Sequence, residues 1–163
     1  MTAVVGGGSS ALEAAIDLAK VCPKVYILVR REKLGGDEVL RDRVRGLGAI
    51  EVIFGAKVLE VLGDGKVRGL LVRRGEGDLT AELAVEGVFV EIGLIPNSEA
   101  FRGAVELNER GEVEVDCRGG TSEPGIFAAG DVTTVPYKQI IVAAGEGAKA
   151  ALSAHDYLLR RKG

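Results

Sequence analysis

Apolar and polar positions along this chain follow two rhythms, one of period two and continuous runs, one of period three to four. Residues 2–5 form a short apolar run that stops at Gly6-Gly7-Gly8-Ser9-Ser10, as a buried strand entering a tight turn does. Leu12, Ala15, Ile16 and Ala19 then recur at helical spacing, which predicts an amphipathic helix over 10–20 capped by Ser9 or Ser10. Residues 25–29 (VYILV) are a continuous run of strand formers, the pattern of a central parallel strand covered on both faces. Strand, helix and strand within about 30 residues make a β-α-β unit.

A short charged helix is expected over 37–46, with Val39, Leu40 and Val44 on one face, followed by a strand over 50–54. The rhythm then changes. Segments 57–62, 67–74 and 79–85 read as short strands separated by Gly-Asp-Gly at 63–65 and Gly-Glu-Gly-Asp at 75–78, the turn chemistry of an antiparallel meander. Residues 88–92 (VFVEI) return to the pattern of a buried strand, and GLIPN at 93–97 breaks it. Further on, 112–116 is a candidate strand, 118–125 a polar loop, and 126–129 a short apolar strand ending at Gly130-Asp131. A long helix is expected over 137–160, with Ile140, Ile141, Ala144, Ala148, Ala151 and Leu152 as its apolar stripe. The fold class is α/β, a Rossmann-like parallel sheet with an antiparallel β-meander, and the chain should leave its first lobe near 94–110.

Composition narrows the function classes. A length of 163 residues suits one domain or two small lobes. Glycine is in excess at 24, yet has no G-X-Y period and is spread among apolar runs, which excludes collagen and low-complexity disorder. The net charge of −3 comes from 21 basic and 24 acidic residues intermixed, so no basic tract points to nucleic acid or a membrane surface. No apolar stretch reaches the ~20 residues of a membrane span and no signal peptide opens the sequence, so a cytoplasmic setting is expected. Cys22 and Cys117 form no CxxC, zinc motif or disulfide framework, and Cys22 reads as a small buried hydrophobe. His155, the single histidine, reads as a surface or packing residue rather than a base.

The candidate chemistry lies in two motifs. Gly6-Gly7-Gly8-Ser9-Ser10-Ala11 matches G-x-G-x-x-(G/A) between a strand and a helix. Gly6 allows the tight turn, Gly8 lets the backbone approach a pyrophosphate, and Ala11 permits close helix–strand packing. The helix start then offers free N–H groups to phosphates. A turn that merely packs a helix on a sheet would look the same. At the end of the second strand, Arg30 and Arg31 favour the 2′-phosphate of NADPH, while Glu32 could instead accept from the ribose hydroxyls of NADH. The second motif is Gly130-Asp131 at a strand end, followed by Lys138-Gln139-Ile140 at a helix start. An aspartate so placed can accept hydrogen bonds from a polyol or ribose.

Phe127-Ala-Ala-Gly-Asp131, Thr133-Thr-Val-Pro-Tyr-Lys-Gln-Ile-Ile141, Ala144-Gly-Glu-Gly-Ala-Lys-Ala150, the GGGSSA turn and Ile92-Gly93-Leu-Ile-Pro-Asn97 together resemble the thioredoxin-reductase-like pyridine nucleotide–disulfide oxidoreductases. Within that family, the flavoprotein subunits of alkyl hydroperoxide reductases are the branch to which this sequence is most similar. The resemblance covers nearly the whole chain. It implies that residues 1–95 are an NAD(P)H-binding domain, with Ser9, Ser10, Glu13, Arg30, Arg31, Ile92 and Gly93 around the nicotinamide cofactor. It also implies that residues 96–163 are the C-terminal part of an FAD-type α/β domain. There Asp131 matches the residue that binds the ribityl chain, and Lys138, Gln139 and Ile140 match the helix start facing the isoalloxazine ring. In such enzymes hydride passes from NAD(P)H to FAD, the reduced flavin reduces a disulfide, and a thioredoxin- or peroxiredoxin-like partner receives the electrons. Homo-oligomers are expected.

Two departures from the family pattern matter. Val29 and Gly35 stand where the family's arginine cluster carries a histidine before the pair and another arginine after it, so NADH remains the alternative nucleotide. The family's FAD-pyrophosphate glycine fingerprint and its redox CxxC lie upstream of the NAD(P)H domain, and neither is in this sequence. The expectation is a catalytically incomplete piece that needs an N-terminal half. The alternatives are a stand-alone NADPH-binding module, a truncated fragment, or a ferredoxin–NADP reductase-like flavoprotein.

Overall fold

The computed structural model describes residues 1–75 and 79–161, and the chain divides into two units, Met1–Gly93 and Leu94–Gly163. The Glu-Gly-Asp part of the turn expected at 75–78 lies outside the described residues.

In the first unit, the strands β1 (Thr2–Val5), β2 (Val25–Leu28), β3 (Ile50–Ile53) and β7 (Gly87–Val90) form a parallel sheet in the order β3-β2-β1-β7. Helices α1 (Ser9–Leu18) and α2 (Glu38–Gly46) cover one face. The strands β4 (Ala56–Gly63), β5 (Val67–Arg74) and β6 (Thr80–Ala84) form the expected antiparallel meander, which packs against the other face. Because strand side chains alternate, β1 and β2 serve both faces at once. Val4, Val25, Ile27 and Val29 pack with Ala11, Leu12, Ala15 and Ile16 of α1 and Val44 of α2. Ala3 and Leu28 point the opposite way, to Ala56, Leu70 and Val72 of the meander. Continuous apolar runs in the sequence follow directly from this double cover.

The structure corrects several sequence expectations in this unit. Gly8 is the N-cap of α1 and makes no side-chain cap bond; Ser9 and Ser10 are already helical, so neither caps it. Val39 is exposed rather than on the packed face of α2, where Leu40 and Val44 do the packing. Among the described residues β7 pairs only with β1, and its Phe89 and Val90 are exposed, so it is an edge strand rather than a buried one. An all-apolar run does not distinguish the two.

The second unit has a thinner interior, with Val105, Val113, Thr133, Ala150 and Ser153 among its buried residues. The strands expected at 112–116 and 126–129 are not ladders. Among the described residues, single bridges join Leu107 to Val113, Val113 to Thr133 and Gly120 to Phe127. Helix α3 (Ile140–Arg161) begins three residues later than expected. Tyr137 has φ 62°, in the left-handed region, and cannot belong to a right-handed helix. The apolar stripe of α3 faces outward: Ile140, Ile141, Ala144, Ala148, Ala151 and Leu152 are all exposed, and the buried positions are Ala150 and Ser153.

Candidate functional site

Residues proposed for the nicotinamide nucleotide gather at the carboxyl ends of the parallel strands. The register sets Val5 beside Leu28 on one side and Val90 on the other. Gly6-Gly8, Arg30-Arg31 and Ile92-Gly93 therefore leave the sheet at the same edge. Gly6 has φ 144° and packs backbone to backbone on Glu91, with Ala11, fully buried, close by. Gly7 sits against Val29. Gly8 is different: a methyl placed on it would meet nothing within 4 Å. Gly6 and Ala11 thus serve close packing and Gly8 leaves open backbone, the division of labour that a pyrophosphate seat needs. The N–H groups of the first turn of α1 have no intrahelical acceptors and carry the positive end of the helix dipole. Ser10, Glu13, Arg30, Arg31, Ile92 and Gly93 are exposed and Ser9 is half-buried. These residues fit a dinucleotide.

The loop after β2 also belongs to this edge, which sequence reasoning missed. Gly35 N–H donates to the Gly7 carbonyl at 2.7 Å, and Asp37 N–H donates to Ser9 Oγ at 3.3 Å. The tandem Gly35-Gly36 ahead of a helix was the available signal. Gly36 has φ 72°, and a methyl there would lie 2.7 Å from Ser9 N.

The second set lies in the second unit. Gly130 (φ 77°) starts a 3-10 turn, Gly130–Val132, beside Ala143 of α3. Asp131 is exposed on that turn. Asp131 and Lys138 line one groove of about 700 Å³ together with Leu94, Ile95, Glu112 and Val132. Gln139 and Ile140 are exposed and are not among the residues lining it. Charged and apolar side chains side by side, with the exposed Asp131 carboxylate among them, fit a ligand with both a polyol and a flat apolar part. The Lys138 ammonium is already engaged. It lies 3.0 Å from Glu112 Oε1 and donates to the Thr133 carbonyl. Asn108 Nδ2–H bonds to Glu112 Oε2 at 2.8 Å; this bond first, and Lys138 second, hold the Glu112 carboxyl below its usual range. No local pattern in the sequence pairs Glu112 with Lys138, which is distant along the chain.

The cysteines and histidine behave as bystanders. Cys22 is half-buried against the α1 core with Thr2 Oγ1 at 3.3 Å, Cys117 is exposed, and His155 is exposed on α3. Among the described residues no group of three or more His, Cys, Asp or Glu could hold a metal, and no helix is long and apolar enough to cross a membrane.

Comparison with known proteins bears on the same two regions. An alkyl hydroperoxide reductase component of Xanthomonas campestris pv. phaseoli is 54% identical over 159 residues, which are 97% of this chain and 30% of that protein. Among solved structures, Lactococcus lactis thioredoxin reductase superposes with a TM-score of 0.84 at 32% identity, over 98% of this chain and 53% of its own. A FAD-dependent pyridine nucleotide-disulphide oxidoreductase from Desulfovibrio vulgaris superposes with a TM-score of 0.77 at 27% identity, over 95% of this chain and 42% of its own. The chain thus spans about 30% of the length of the curated relatives it matches. Residues 1–147 match the family described as pyridine nucleotide-disulphide oxidoreductase, and the chain belongs to that family.

Proposed function

We propose that this chain is the C-terminal part of a flavin-dependent NAD(P)H:disulfide oxidoreductase of the thioredoxin reductase or alkyl hydroperoxide reductase flavoprotein type. The observation that carries the proposal is the coexistence of two seats: the glycine turn with its open Gly8, and the Asp131–Lys138 groove. In this reading residues 1–95 bind NAD(P)H and residues 96–163 contribute the later part of an FAD domain. When bound, the nicotinamide supplies hydride and the flavin relays its electrons to a disulfide.

The chain's own residues do the binding. Gly8, Ser9 and Ser10 hold the pyrophosphate over the start of α1, Gly6 and Ala11 pack the turn closely enough to allow it, and Glu13 stands further along that helix. Arg30 and Arg31 favour NADPH over NADH through charge-assisted bonds to the 2′-phosphate. Ile92 and Gly93 flank the nicotinamide end. Gly130 shapes the turn so that Asp131 accepts from the ribityl hydroxyls. Lys138, Gln139 and Ile140 bring the entry to α3 to the flavin ring. The partners are an N-terminal portion bearing the CxxC and the FAD-pyrophosphate turn, and a thioredoxin- or peroxiredoxin-like electron acceptor. The setting is the cytoplasm, and the assembly a homo-oligomer.

Reconstitution tests this. The chain is mixed with the N-terminal portion of an alkyl hydroperoxide reductase flavoprotein and FAD, and NADPH or NADH oxidation is followed. Flavin uptake with nucleotide oxidation supports the proposal; the absence of both refutes it. A second reading, an NAD(P)H-binding module without catalysis, draws on the fact that both apolar core clusters lie within residues 1–93. Nucleotide binding by the chain without any flavin uptake in the mixture would favour it.

A further inference from the structure

The Lys138 ammonium is engaged with the protein itself. Its two acceptors are Glu112 Oε1 at 3.0 Å and the Thr133 carbonyl. Both are anchored in turn. Asn108 grips Glu112 twice, donating from Nδ2 to Oε2 at 2.8 Å and accepting the Glu112 N–H on Oδ1 at 2.9 Å. Thr133 is fully buried, and its hydroxyl donates to the Gly130 carbonyl at 2.7 Å. The next residue of each strand-like segment is also tied: Val113 N–H donates to the Val132 carbonyl at 2.8 Å, and Thr134 N–H to the Val113 carbonyl at 3.0 Å. Segment 130–139, which carries Asp131 at one end and the entry to α3 at the other, is therefore fastened at both ends to the Asn108–Val113 loop.

At the α3 end, the Lys138 side chain ties the residues just before the helix to Glu112 and Thr133. Pro136, Tyr137 and Gln139 are exposed, and Tyr137 holds a left-handed φ of 62° that a free segment would relax. Among the described residues, Gln139 is held by its N–H bond to the Tyr137 carbonyl and by the Ala143 N–H bond to its own carbonyl, and the polar hold on 136–138 besides these is the Lys138 side chain. Glu112 and Lys138 are partly buried, with side-chain exposures of 17% and 29%, so water replaces their contact less readily than it does an exposed pair.

We propose that Glu112 is a positioning residue for the flavin seat: by holding Lys138 it fixes segment 133–139, so that Asp131 and the start of α3 face a flavin in one arrangement. This rests on the flavin reading given under the proposed function. Glu112 touches no flavin atom in this assignment and acts through Lys138.

The test uses this chain, wild type and Glu112→Gln, mixed with the N-terminal portion of an alkyl hydroperoxide reductase flavoprotein and FAD. The readouts are flavin affinity, the position of the flavin's visible band, and amide exchange across 134–139. Glu112→Gln should weaken flavin uptake about tenfold, shift the band and speed exchange of those amides about tenfold, with the amides of β1 and β2 unchanged. The charge-exchanged pair Glu112→Lys/Lys138→Glu should recover part of each loss. If wild type takes up flavin and Glu112→Gln matches it in affinity and band position, the Glu112 assignment falls while the function stands. If wild type takes up no flavin, the function falls and the assignment with it. Should Glu112→Gln fail to fold by circular dichroism, Lys138→Met is measured in its place; unchanged flavin affinity and band in that variant overturn the assignment equally.

Discussion

A methyl group placed on Gly6 would lie 2.1 Å from the backbone carbonyl oxygen of Glu91. That contact joins the glycine turn to the end of β7, and no side chain can be admitted without moving backbone. Gly6 also has φ 144°, which L-residues avoid. Gly8, two residues on, has φ −89° and open space where a side chain would stand. The two glycines therefore separate folding from binding. Gly6→Ala should destabilise the chain by about 3 kcal/mol, from overpacking and backbone strain together. Gly8→Ala should fold normally yet weaken NAD(P)H binding, because its methyl occupies the space a pyrophosphate would take. Thermal melting and calorimetric titration of both variants check this. Equal melting temperatures for Gly6→Ala and wild type would contradict the packing argument.

Arg30 and Arg31 are exposed at the carboxyl end of β2. If they hold a 2′-phosphate, Arg30→Ala should weaken NADPH by about tenfold or more, the worth of one charge-assisted hydrogen bond, and leave NADH nearly unchanged. Titration with both nucleotides reads this as a ratio. Equal loss for both would instead make the arginines a general anionic attraction, and NADH the natural ligand.

Much of this was legible in the sequence, and the limits have physical reasons. The β-α-β unit and the meander were readable because double-covered strands are continuously apolar and tight turns demand Gly and Asp. The direction of the α3 stripe was not. Periodicity says that Ile140, Ile141, Ala144 and Leu152 share a face, but not whether this chain covers it. The 126–129 segment has strand composition and no ladder, since composition does not report a partner. Motif reading led to Asp131 and Lys138, yet missed Glu112 and the Gly35–Asp37 loop. Those contacts are made by residues far apart in sequence.

Leu70 is fully buried on β5 and packs in the cluster that joins the meander to Ala3 and Leu28 of the parallel sheet. Leu70→Ala should cost about 2–5 kcal/mol, the usual range for a buried leucine. The loss would be read in urea unfolding as a lower midpoint with an unchanged slope. A cost below ~1 kcal/mol would mean that the meander contributes little to holding the sheet.

Asp116 closes the 116–120 turn by accepting N–H bonds from Gly120 and Arg118, both at 2.8 Å. The Gly120 bond, then the Arg118 bond, hold its carboxyl below the ordinary 3.8. Its folded-state pKa is lowered, so its stabilisation is complete above 3.8 and fades as pH falls through the lower folded value. Asp116→Asn should therefore melt lower than wild type at neutral pH, and the gap should narrow as pH falls below 3.8. Melting curves across acid pH measure it; a gap that widens toward acid would reverse the sign assigned here.

The outward stripe of α3 makes the last prediction. Ile140 is 91% exposed, Ile141 80% and Leu152 70%, on the face that also carries Ala144, Ala148 and Ala151. Isolated apolar residues on a surface are common, but a continuous helical face of them is not, and water penalises it in proportion to area. The chain in isolation should bury this face by self-association. Light scattering after size exclusion should give a mass above one chain that rises with concentration. Ile141→Glu with Leu152→Glu places two like charges on the stripe, whose repulsion and desolvation oppose contact, and should return the protein to a monomer. Neither position packs in the core, so melting at low concentration should change little. A wild-type chain that stays monodisperse and monomeric at high concentration would show that the stripe is tolerated in water. A double variant that still associates would move the contact to another surface, with the exposed Phe89 and Val90 of the β7 edge strand the next place to substitute.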